Sequence, residues 1–150
     1  MALKGDRNEL DTDISYFMNE TASRGVVVSV STQGSGAAMD NSSAVATVAA
    51  EASGAVALGV LLNDVVNIDQ TRQHLNWHKD EVQQGSKVTI LSKGFVVTDQ
   101  ISGTPSAGDT AYLADSGKIS GSQDGTAPAV GRFLSTKDAD GYAKVSINLP

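Results

Sequence analysis

The stretch Tyr142-Ala-Lys-Val-Ser-Ile-Asn-Leu149 decides the fold class. Ala143, Val145, Ile147 and Leu149 alternate with Tyr142, Lys144, Ser146 and Asn148, the period-two pattern of a strand with one buried and one wet face. Just before it, Asp138-Ala-Asp-Gly141 reads as a hairpin turn, because glycine accepts positive φ without steric cost. Ala129-Val-Gly-Arg-Phe-Leu134 is the strand on the other side of that turn. Further back come Asp109-Thr-Ala-Tyr-Leu113, a turn at Asp115-Ser-Gly117 and a short strand over residues 118–120. Lys87-Val-Thr-Ile-Leu91 and Phe95-Val-Val-Thr98 read as two strands around a Ser92-Lys-Gly94 turn. Residues 25–31, 44–50 and 55–62 complete the set. Short strands at this spacing predict an all-β chain, a small β-barrel or sandwich of short antiparallel strands.

The composition agrees. Gly, Ala, Ser and Thr make up 61 of 150 residues, whereas Leu, Ile, Val and Phe total only 35. That mixture suits thin β-structure with many tight turns better than a thick layered core. At 150 residues the chain has the size of one domain. There is no cysteine, which excludes disulfides, thiolate zinc sites and cysteine nucleophiles. A net charge of −6 argues against a nucleic-acid or membrane partner held by sequence-independent electrostatics. The apolar run over residues 44–62 is broken by Thr47, Ser53, Gly54 and Gly59, and reads as two strands around a turn rather than a membrane span. The first residues turn charged at once, without the apolar stretch of a secretory signal.

Two segments stand apart from the β rhythm. Residues 1–24 are polar and follow neither helical nor strand periodicity, so they read as an extended N-terminal arm preceding a β-domain over residues 25–150. The arm carries one apolar knot, Ile14, Tyr16, Phe17 and Met18, and Asp13 is placed to cap a short turn through Met18. Burying such a knot gains several kcal/mol at roughly 25 cal/mol per Å², so it docks either on another chain or back on its own domain. Residues 63–84 form a polar insert that holds Trp77 and both histidines. The candidate partner-contact residues, on another protein or on a neighbouring protomer, are Leu3, Leu10, Ile14, Tyr16, Phe17, Met18 and Trp77.

Catalytic signals are weak. His74-Leu-Asn-Trp-His78 places two histidines at i and i+4, which on a helix share a face and can chelate zinc with Glu81 as third ligand. The residue after the first histidine, where a helical metalloprotease keeps its general base, is Leu75. No Gly-x-Ser-x-Gly elbow and no Gly-rich phosphate cradle occur, and Asp138-Ala-Asp-Gly141 lacks the further ligands of a calcium loop. No catalytic, cofactor-binding or metal-binding residues are therefore expected, and the chain is not expected to be an enzyme.

Residues 54–150 resemble the small capsid-decoration (cement) proteins of tailed bacteriophages. The likeness rests on Ala57-Leu-Gly-Val-Leu-Leu62, on residues 85–98 with their central glycine, and on Ala107-Gly-Asp-Thr-Ala-Tyr-Leu113 followed by Gly117-Lys-Ile119. It continues through Val130-Gly-Arg-Phe-Leu134, the Asp140-Gly141 turn and Val145-Ser-Ile-Asn-Leu149. The insert and the arm depart from the family pattern. The resemblance implies a β-rich domain, commonly a homotrimer, bound to the outer surface of the capsid. There it clamps neighbouring major capsid proteins and performs no catalysis. A tail or baseplate accessory β-domain is the structural alternative, and a zinc hydrolase centred on His74 and His78 the enzymatic one.

Overall fold

The computed structural model describes residues 3–14, 16–32, 45–62, 81–82 and 88–149. Among these residues thirteen strands run in chain order: β1 (Asn8–Asp13), β2 (Phe17–Met18), β3 (Ala22–Ser23), β4 (Val27–Thr32), β5 (Val45–Thr47), β6 (Ala57–Leu62), β7 (Glu81–Val82), β8 (Thr89–Thr98), β9 (Ile101–Ser102), β10 (Thr110–Leu113), β11 (Ile119–Ser120), β12 (Ala129–Phe133) and β13 (Ala143–Asn148). A 3-10 turn, Asp115–Gly117, separates β10 from β11. The protein is all-β, with no α-helix among the described residues.

One sheet follows the path β2-β5-β4-β6-β8-β13-β12-β10-β11-β9, with β1 laid along β8; β3 and β7 form a separate pair. The path is open, its ends β2 and β9 unpaired with each other among the described residues, so hydrogen bonding does not close a barrel. The strands are not all antiparallel either. β2 pairs with β5, and β11 with β9, in parallel.

The closing hairpin is built as its sequence dictates. Ala143, Val145, Ile147 and Leu149 are buried, and β13 pairs with β12 from Phe133↔Val145 to Gly131↔Ile147. Asp138 secures the turn, its Oδ1 accepting the amides of Asp140 (3.0 Å) and Tyr142 (2.8 Å), as turn aspartates do.

The expected turn at Ser92-Lys-Gly94 is absent, because residues 89–98 form one continuous strand. Gly94 serves a different purpose. A Cβ built there would collide with the carbonyl oxygen of Asn8, and its φ of +142° is one that L side chains rarely adopt. The glycine lets β1 lie against β8.

β8 is bordered along its length on both edges. β6 takes residues 89–91 and β13 residues 93–98. β1 pairs with β8 from Asn8↔Phe95 to Asp13↔Ile90. Leu91 and Lys93 each pair with β1 as well as with β6 or β13, so β6 and β13 share one edge in tandem and β1 occupies the other. Asp13 thus ends a strand and does not cap a helical turn. The arm's course along β8 begins earlier still, with a bridge between Leu3 and Thr98 and the Lys4 amide donating to the Val97 carbonyl at 2.9 Å.

Two apolar clusters lie on opposite faces of β4, β6 and β8. The larger contains Val27, Val60, Leu91, Phe133, Val145 and Ile147, and takes in Leu3 from the arm. The smaller contains Val28, Leu61, Val88 and Ile90, covered by Met18 and Ala22, with Tyr16 packed against it.

Candidate interaction surface

β1 is exposed at every residue. Its pairing with β8 carries two compensating irregularities. Glu9 faces Gly94 and Asp11 faces Lys93, which leaves Leu10 as an extra residue on β1; Thr12 then faces Leu91, which leaves Ser92 extra on β8. Such bulges re-aim side chains, and here Leu10 stands 73% exposed. The Ser92 hydroxyl donates to the Asp11 carbonyl at 3.1 Å. On the other edge of β8 the Ser92 carbonyl accepts the Leu149 amide at 3.0 Å.

Where β6 and β13 part on the shared edge, a groove of about 620 Å³ opens. Asp11, Thr12, Asp13 and Tyr16 form one side; Ala55, Val56, Ala57 and Leu58 form another, with Ile90, Ser92, Pro128, Ala129 and Leu149 completing the lining. Val56 is 63% exposed, and Leu10 and Ile14 (64% exposed) flank in the chain the β1 residues that line the groove. Among the described residues the lining includes two carboxylates, Asp11 and Asp13. Arg7, just upstream, pairs its Nε with Glu9 Oε1 at 2.6 Å.

The seven candidate contact residues therefore occupy different places. Leu3 (1% exposed) and Met18 (2%) are packed in the chain's own clusters. Tyr16 packs against the smaller cluster, Phe17 is half-buried in β2, and Leu10 and Ile14 face solvent. Trp77 lies outside the described residues, as do His74, His78 and all of the insert except β7. β7 joins the end of the insert to the arm through Ala22↔Val82. Among the described residues no three His, Cys, Asp or Glu side chains are grouped to hold a metal, and no helix is long and apolar enough to cross a membrane. Sequence reasoning missed Val56 and its neighbours, because an apolar run reads as core unless the partner strand is known to leave it.

A profile of a phage family described as structural cement protein matches residues 4–148, nearly the whole chain and including the arm. A search of curated proteins returned no match. The chain belongs to the phage structural cement protein family, and its role is that of a capsid-decorating structural protein of the virion.

Proposed function

We propose that this cement protein coats the outer surface of the phage head as a homotrimer and ties neighbouring major capsid proteins together through the surface around Leu10, Ile14 and Val56. One observation carries the choice of surface. A bulge in a strand otherwise paired along β8 holds a leucine out in solvent at 73% exposure, an arrangement that serves contact and not the chain's own core. The trimer comes from the family resemblance. It suits the role, because several modest contacts per assembly multiply into avidity. The family is a structural one, and binding alone accounts for the role without turnover. The net charge of −6 keeps free copies soluble and disfavours nucleic acid or anionic membrane as partners.

The test is co-sedimentation with phage heads that lack the protein. A Leu10→Ser/Ile14→Ser variant should bind at least about tenfold more weakly, since each lost side chain removes an apolar contact and the trimer repeats the loss. Binding equal to that of the parent chain would exclude this surface.

A further inference from the structure

We infer that the outward face of β8, β13 and β12 receives an acidic surface of a second copy of the chain, in a head-to-tail contact. The inference rests on the homotrimer reading above and specifies the surface and the charge that make the self-contact.

Three observations lead to it. First, charge is distributed unevenly. Strands β8, β12 and β13 contain Lys93, Arg132 and Lys144 and none of the chain's 17 Asp and Glu residues. Second, the register gathers these cations on the outside of the sheet. Val96, Phe133, Ala143, Val145 and Ile147 pack into the larger cluster, so the residues that alternate with them point outward. Arg132 lies across from Ser146, and Ser146 across from Phe95; Lys144 lies across from Val97, and Asn148 across from Lys93. The Lys144 ammonium sits 4.0 Å from the centroid of the Phe95 ring, a contact that positions the cation and leaves its charge in place. Two carboxylates border the face. Asp11 lies across from Lys93 on β1, and Asp109 precedes Thr110, the partner of Arg132, with its Oδ2 accepting the Ser106 amide at 2.8 Å. The positive charge therefore centres on Arg132 and Lys144. Third, the face offers apolar contact beside that charge. A shallow groove of about 480 Å³ is lined by Ala129, Gly131, Arg132, Leu134, Ser146 and Asn148, and Leu134 is 45% exposed.

A cationic surface with an apolar neighbour complements an acidic protein surface. The rest of this chain supplies one, since it holds all 17 carboxylates against eight Lys and Arg. A two-fold contact of the face with itself would set Arg132 and Lys144 against their own counterparts, and like charges in apposition are costly. A head-to-tail contact avoids this, and such contacts close into rings, a trimer among them. Leu10, Ile14 and Val56, assigned above to the shell, lie outside these three strands.

The experiment is sedimentation equilibrium of the full chain at rising sodium chloride, beside co-sedimentation with heads lacking it. The parent chain should form trimers whose dissociation constant rises about tenfold as salt goes from roughly 50 to 200 mM, because exposed ion pairs are screened. Arg132→Glu should weaken association at least about tenfold at the low-salt end and flatten the salt dependence. Arg132→Gln, which removes the charge without reversing it, should fall between the two. Leu134→Ser should weaken association while keeping the parent's salt dependence. Both side chains are exposed, so an unchanged thermal midpoint should accompany each substitution. A parent chain that stays monomeric throughout would sink the trimer reading itself. Parent trimers that Arg132→Glu leaves equally stable at every salt concentration overturn this inference alone. So does an Arg132→Glu chain that keeps its trimers but no longer binds heads, which would give the face to the shell protein.

Discussion

The two apolar clusters on either face of β4, β6 and β8 are assembled differently. The larger draws on β10, β12 and β13, neighbours in the sheet, of which β10 and β13 bury every second residue. The smaller is closed by Met18 and Ala22, from a segment that precedes all those strands and has no periodicity of its own. One face is thus covered by the sheet curling over itself, the other by the arm. The arm serves as core on one side, through Leu3 and Met18, and as surface on the other, through Leu10 and Ile14.

If the arm completes the fold in this way, removing residues 1–24 should have the largest effect of any change considered. Loss of a buried Leu or Met side chain costs about 2–5 kcal/mol, so losing both Leu3 and Met18 removes an amount comparable with the whole stability of a small domain, about 5–15 kcal/mol. Urea denaturation of the truncated chain should show little or no folded baseline. A cooperative transition at the parent's midpoint would mean that the arm is a separate unit and would break the comparison.

Next comes Phe133→Ala, which empties the centre of the larger cluster. It should cost about 3–5 kcal/mol and shift the global denaturation midpoint, with little change in the slope.

Gly94→Ala sharpens the contrast by acting on the arm. The added methyl meets Asn8 and Glu9 before anything else, so it should lift β1 from β8 at a cost of about 1–3 kcal/mol. Amides of residues 8–13 should lose exchange protection while those of β12 and β13 keep theirs. Unchanged protection in β1 would show that the close approach at Gly94 is not what seats the arm.

The smallest effect on stability is expected for Leu10→Ser/Ile14→Ser. Both side chains are exposed, so the thermal midpoint should shift by no more than a change within about 0.5 kcal/mol implies. A large loss of stability would place these residues in the fold instead of on a contact surface.

The legibility of the sequence follows the same division. The β12–β13 hairpin could be read because alternation and an Asp-Gly turn are local signals. The unbroken runs Val26-Val-Val28 and Val60-Leu-Leu62 mark strands buried on both faces, but nothing in them tells which segment covers the second face. Gly94 between two apolar runs reads equally as a turn or as a site of close backbone approach, and only the presence of β1 decides. Leu10 owes its exposure to a register irregularity against a strand about eighty residues away, so no local pattern reports it. The family likeness was legible for the β-domain from residue 54 onward; the match over residues 4–148 extends it to the arm.

The most direct test of the central claim is a cryo-EM map of the decorated particle. The account predicts density of the shell protein against Leu10, Ile14 and the groove lined by Val56, with the exposed side of the β12–β13 hairpin turned away from the shell. A shell contact made through that hairpin, with Leu10 and Ile14 left in solvent, would contradict it.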